Sequence, residues 1–238
     1  MDLRPALDLT AGFVNPKSMV LAHQVAVVND GKLSATNGIS GCTVECEQLA
    51  GLAFTVDLRH WRRQVGALTD PQITVSGGKV KIESRTAKFS LAQVPEKGQP
   101  SLPEPPTDGW KPVSGAVLRL LNRIGGLCGG DHGSFSMGGI RLTPEWVAAS
   151  SSTHGAVAWL EGLVTEALTA PADVFKGLDS DAEIAVTKTR LWTRSEGGRL
   201  RWTTLLQGGW PDQFAEQVKG YLAAATAGVT LEAEALVS

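Results

Sequence analysis

The stretch PQITVSGGKVKIESRTAKFSLAQVP, residues 71–95, decides the reading of the fold. Polar and apolar residues alternate through it, which is the pattern of half-buried strands. Gly77-Gly78 breaks the first strand from the second, and Arg85-Thr86-Ala87 breaks the second from the third. Three short antiparallel strands in succession are therefore expected.

Working outward, the residues before this stretch give a short helix over roughly 3–14. A strand, turn and strand follow over 23–38, with Asn29-Asp30-Gly31 as the turn signal. GCTVECEQL (41–49) is another strand, and TVDLRHWRRQVGAL (55–68) a helix. After the three strands comes VPEKGQPSLPEPPTDGWKP (94–112), rich in Pro and Gly and without periodicity, which reads as a linker. Beyond the linker the order recurs. Residues 114–127 form a helix, 134–151 two short strands, HGAVAWLEGLV (154–164) another, and TAPADVFKGLDS (169–180) a second, shorter helix. DAEIAVTKTRLWTRSEGGRLRWTTLLQGGWP (181–211) again gives three strands, with the turn at Ser195-Glu196-Gly197-Gly198. Helix starts near 3 and 114 set a period of about 110 residues, longer than any solenoid repeat. The reading is a duplicated α+β unit, with helices in one layer and antiparallel sheets in the other.

The helix over 55–68 concentrates charge. Arg59, Arg62 and Arg63 share a face at i, i+3 and i+4, while Leu58, Trp61, Val65 and Leu68 form an apolar stripe away from them. Thr55 is placed to cap the start, with Asp57 in the first turn. In the second unit, Arg119 and Arg123, with Asn122, repeat the spacing on the first helix, whose buried side is Leu118, Leu121 and the run Ile124 to Leu127. The other two helices are weakly basic. Lys176 stands alone on 169–180 with Asp173 three residues before it, and Arg4 is opposed by Asp8. The body as a whole is mildly acidic, with a formal net charge of −2. A simple nucleic-acid binder is usually basic overall, so any contact with DNA has to come from a local stripe.

Composition sets further bounds. With 42% hydrophobic and 19% charged residues, the chain can bury a proper core. No run of about 20 apolar residues implies a membrane span, and the N-terminus lacks the pattern of a secretory signal. Three cysteines, Cys42, Cys46 and Cys128, suit a reducing compartment without a disulfide framework, and Cys42 and Cys46 read as buried free thiols. No metal-ligand spacing accompanies them. The sequence lacks the phosphate-loop, serine-hydrolase and zinc-protease motifs. GGLCGGDHGSFSMGG (125–139) carries Asp131 and His132, an acid–base pair in principle, but it follows a helix where a phosphate loop follows a strand. His23 and His154 are isolated and read as structural, and Trp192, Trp202 and Trp210 as core or sheet-face residues.

Three segments resemble the DNA sliding clamps, of the beta-subunit type found with bacterial DNA polymerase III. GGKVKIESRTAKFSLAQVPEKGQP (77–100) is similar to that family's ending of a Gly-led strand, a basic turn and an F-x-L strand before a proline-bounded exit. DGKLSATNGISGCTVEC (30–46) resembles its early strands, with Asn37 where an acid is usual, and LLQGGWPD (205–212) resembles the end of a clamp domain. The resemblance covers about residues 1–214 and implies clamp domains at 1–107 and 108–214. Residues 215–238 are left as a helical tail or the start of a third repeat.

The resemblance implies a ring around duplex DNA, with sheets outside and helices lining the hole. It implies a processivity factor that tethers the replicative polymerase and is not an enzyme. Arg59, Arg62, Arg63, Arg119, Arg123 and Lys176 would then face the phosphates. Partners would be duplex DNA without sequence preference, and the polymerase and clamp loader through short peptides. No cofactor and no metal are implied. The location would be cytoplasmic, in the host if the source is a phage. Two clamp units per chain imply a homotrimer, unless the chain is part of a three-domain protein. Two alternatives stand beside this: a clamp-fold adaptor that binds peptides without encircling DNA, and a two-domain enzyme with its site near Asp131 and His132.

Overall fold

The computed structural model describes residues 1–129, 137–151, 153–178 and 180–224. The chain divides into two compact units. Unit 1 is Met1–Pro105 with Glu196–Trp202; unit 2 is Pro106–Ser195 with the residues from Thr203 onward.

Unit 1 runs α1 (Leu3–Ala11), β1 (Val25–Asn29), β2 (Lys32–Thr36), β3 (Ser40–Glu45), β4 (Ala53–Asp57), α2 (Leu58–Gly66), β5 (Gln72–Ser76), β6 (Lys79–Glu83) and β7 (Lys88–Ala92). Its strands form two antiparallel groups, ordered β4-β1-β2-β3 and β5-β6-β7. The three strands expected over 71–95 are β5, β6 and β7. The turn signals act as expected. Asp30 and Gly31 take φ of 45° and 77° between β1 and β2, and Gly77 and Gly78 take 58° and 73° between β5 and β6. Two-residue turns with positive φ match the twist of paired strands. Leu3, Ala6 and Leu7 of α1 and Leu58, Trp61 and Val65 of α2 share one core with Val28, Leu33, Phe54, Val80 and Ile82 from the strands.

Unit 2 runs β8 (Lys111–Val113), α3 (Gly115–Gly125), β9 (Gly139–Leu142), β10 (Trp146–Ser150), β11 (Gly155–Trp159), β12 (Leu168–Pro171), β13 (Ala182–Val186), β14 (Arg190–Ser195), β15 (Arg199–Thr204) and α4 (Gln213–Ala224). The first part of β15, to Trp202, groups with unit 1. Within unit 2 the strands pair as β11-β10-β9-β12 and β14-β13-β8. Leu118, Leu121 and Ile124 of α3 pack with Ile140, Leu142, Val147, Phe175 and Ile184 in a second core. The order helix, three strands, strand, then three strands recurs in both units.

Several expectations need correction. The segment 169–180 is not an α-helix. It is β12 followed by one 3-10 turn, Ala172–Val174. Gly177, at φ 69°, stops any helical continuation. The short segment anchors itself by burying Val174, Phe175 and Leu178. Thr55 does not cap α2, because it lies inside β4 with its neighbours paired to β1; Asp57 is the cap. The expected linker over 94–112 contains a 3-10 turn, Glu96–Gly98, and ends in β8. Residues 131 and 132 lie outside the described residues, as does the tail from 225.

As expected, Cys42, Cys46 and Cys128 are free thiols, the first two buried. Burial pushes the Cys42 thiol up to about 12 and the Cys128 thiol up to about 11. Trp192, Trp202 and Trp210 are all buried. His23 shares a hydrogen bond with Ser18 at 3.2 Å and packs on Gly38.

The 3-10 turn in unit 2 lies close under α3. A Cβ at Gly125 would stand 2.8 Å from the Ala172 side chain and 3.3 Å from Ile140. Gly125→Val is therefore expected to cost about 1–3 kcal/mol by overpacking, read as a lower unfolding midpoint in urea with the slope unchanged.

Candidate nucleic-acid interface

The arginines of α2 are presented by a well-fixed helix. The Asp57 carboxylate accepts the His60 backbone N–H at 2.7 Å, closing the first turn. Leu58, Trp61 and Val65 are buried, which turns Arg59, Arg62 and Arg63 to solvent. The structure brings these three together, as expected, and adds a fourth. Arg4 of α1 donates to the Gly66 carbonyl at 2.7 Å, at the C-terminal end of α2. A cation there meets the negative end of the helix dipole.

Asp8 does not pair with Arg4. It accepts from Arg62 Nε at 2.7 Å, linking α1 to α2. Both side chains are about half exposed, 54% and 52%, so the pair contributes at most about 1 kcal/mol to stability. Its larger consequence is electrostatic, since it places a carboxylate beside the guanidinium. Arg4, Arg59, Arg62 and Arg63 line one cleft of about 590 Å³, with Asp8 as the acid on its rim and Leu7 and Leu58 in its floor.

In unit 2, Ser114 caps α3 by accepting from the Val117 N–H at 3.4 Å, and Asp181 accepts from the Gly115 N–H at 2.8 Å. Arg119 and Arg123 lie one turn apart on the exposed side of α3. Asn122, expected beside them, instead donates to the Leu178 carbonyl at 2.9 Å and ties α3 to the segment after the 3-10 turn. Lys176 is exposed in that segment, in a turn and not on a helix. Among the described residues no cluster of three or more His, Cys, Asp or Glu could hold a metal ion, and no helix is long and apolar enough to cross a membrane.

The roles of Arg4, Asp8 and Asn122 are not legible in sequence, which assigns each to its own helix. Their partners lie 62, 54 and 56 residues away.

Solved structures share this architecture. The chain matches a putative DNA polymerase III beta subunit from Eubacterium rectale with a TM-score of 0.76 and 13% identity, over 94% of this chain and 66% of that one. It matches the DNA polymerase sliding clamp from Bacillus subtilis with a TM-score of 0.74 and 14% identity, over 90% and 64%. For the DNA polymerase III subunit beta from Pseudomonas aeruginosa the TM-score is 0.71 and the identity 19%, over 91% and 65%. The chain thus spans 64–66% of the length of these proteins. The likeness establishes the DNA clamp fold. No protein-family model and no curated protein matched the sequence.

Proposed function

We propose that this chain is a DNA sliding clamp, a ring that encircles duplex DNA and tethers a replicative polymerase without catalysing a reaction. The observation that carries the reading is a clamp fold over 94% of the chain, in which the arginines of α2 gather on one exposed helical face. Arg59, Arg62, Arg63, Arg119, Arg123 and Lys176 face the phosphates in this reading, and Arg4 joins them. The repeats are residues 1–107 and 108–214, so a six-domain ring takes three chains. Polymerase and clamp loader engage through short peptides, in the cytoplasm.

Retention by encirclement needs few phosphate contacts, each exchangeable with counterions. The test is retention on plasmid. A preloaded clamp stays on closed circular DNA at roughly 200 mM salt, where purely electrostatic binding is weak, and leaves within seconds of cutting the circle. Equal retention on circle and linear form would overturn the reading. A second reading, an adaptor with the clamp fold that binds peptides without encircling DNA, is favoured by one observation. The 3-10 turn of unit 2 leaves Lys176 the only base where a second basic helix is expected. An adaptor binds replication-protein peptides but shows no difference between circle and linear DNA.

Asp8 gives a graded check on the arginine face. Asp8→Asn removes the acid from Arg62 and is expected to tighten duplex binding by roughly two- to fivefold at low salt, while stability changes by less than about 1 kcal/mol. Fluorescence anisotropy with a labelled duplex reads the first, and urea denaturation the second.

A further inference from the structure

The arginines of α2 do not stand over a flat surface. Together with α1 and the loop that follows it, they line the cleft of about 590 Å³ in unit 1, a size that suits a small molecule. Two cross-links fix its direction. Arg4, in the first turn of α1, donates to the Gly66 carbonyl at the end of α2, and Asp8, one turn further on, accepts from Arg62. The two helices therefore run antiparallel, and the cleft has two unlike ends. One end gathers Arg4, Arg62 and Arg63. The other is apolar, made by Ala11, Val14 and Pro16 with Leu58, the first residue of α2. Arg59, one turn before Arg63, lines this second end. From Arg4 to Ala11 the axis of α1 rises about 10 Å, so a ligand of modest length touches both ends.

The charge is concentrated and partly set in advance. Four guanidiniums share the lining with the single carboxylate of Asp8. Arg4 and Arg62 are each held by a protein partner at 2.7 Å, so less side-chain freedom is lost when a ligand arrives. Arg59 and Arg63 have no ion-pair partner among the described residues. Guanidinium forks match the oxygens of phosphate in pairs of hydrogen bonds, and a run of linked phosphates brings several charges to one place. The apolar end asks for something else. Ala11 and Val14 are only partly buried and Pro16 is exposed, which gives a planar base an apolar ledge, with the Arg59 guanidinium available to stack on its other face. Duplex DNA keeps its bases stacked inside, so it offers phosphate to the first end and no free base to the second.

We propose that the cleft is a binding site for a nucleoside polyphosphate. Its phosphates lie among Arg4, Arg62 and Arg63, and its base packs on Ala11, Val14 and Pro16 beneath Arg59. The site shares its arginines with the DNA-facing set, so nucleotide and duplex compete for them. The proposal stands on the cleft of unit 1 alone and not on encirclement of DNA.

Calorimetry on the full chain at roughly 150 mM salt tests it, with ATP, inorganic triphosphate and adenosine as separate probes. ATP is expected to bind one site per chain, about tenfold tighter than triphosphate, the gain expected of one stacked base. Adenosine is expected to give no measurable heat. Val14→Thr keeps the side-chain volume but puts a hydroxyl on the ledge. It is expected to weaken ATP about threefold and to leave triphosphate unchanged. R59E/R63E, at two exposed positions, is expected to abolish binding of both. Equal affinity for ATP and triphosphate would overturn the proposal, since charge alone would then explain the binding. So would equal affinity for ATP and adenosine, or undiminished ATP binding by R59E/R63E. Retention on circular against linear DNA, measured without nucleotide, decides the clamp reading separately.

Discussion

Replacing Arg59 and Arg63 together by glutamate is expected to weaken binding to duplex DNA by about two orders of magnitude at low salt. The geometry makes these two residues the sharpest choice on α2. Both are exposed, and neither has an ion-pair partner among the described residues, whereas Arg62 is already engaged by Asp8 at 2.7 Å. Each phosphate that an arginine neutralises steepens the fall of log affinity with log salt by about 0.9. The double variant should therefore also flatten that slope by about 2. The fold should be unaffected, because the apolar face of α2 is untouched. Binding measured by anisotropy from roughly 50 to 200 mM salt gives both quantities. An unchanged slope would mean that α2 does not meet phosphate.

The largest effect on stability is expected at Trp61. The side chain is fully buried, with its ring edge-on to Phe54 at 5.3 Å and an interplanar angle of 71°. It sits where α2 meets the strands of unit 1, among Leu58, Phe54 and Val65. Trp61→Ala removes the largest side chain of that core and leaves a cavity its neighbours cannot fill. The expected cost is about 3–5 kcal/mol, which is a large part of the roughly 5–15 kcal/mol that holds a domain folded. The melting midpoint of unit 1 should fall by roughly 15 °C or more. Unit 2 has its own core, so amides on α3 should keep their protection in hydrogen exchange while those on α2 lose it. Loss of protection in both units together would show that they unfold as one.

These two sites also show what the sequence carries. Trp61 and Arg59 sit on opposite faces of one helix, and 3.6-residue periodicity alone separates them. Period-two alternation and the Gly-Gly breaks likewise place β5, β6 and β7, because turn chemistry and face alternation are local. What stays hidden is non-local. Thr55 looks like a cap because its hydroxyl precedes an amphipathic run, but β1 claims that residue for a ladder. TAPADVFKGLDS has enough apolar residues for a helix, yet Gly177 in the left-handed region and the need to bury Phe175 make it a turn. Arg4 and Asp8 have the spacing of an intrahelical pair, and only the packing of α2 alongside reveals their true partners. The basic face of α2 is therefore readable, and its electrostatic balance is not.

That balance matters to how the chain would hold DNA. A tight, specific interface would oppose sliding, and an acid placed against one arginine of the cluster tempers the attraction. The same logic suits a protein whose grip comes from closure around the duplex. In the ring proposed above, closure would take more than one chain, because two clamp units would make only part of its six domains.

The measurement that tests this most directly is the solution mass by light scattering over a wide range of protein concentration. A closed trimeric ring gives a species three times the 25.1 kDa chain, persisting on dilution into the nanomolar range. A monomer at every concentration would contradict it, since such a chain cannot enclose DNA alone.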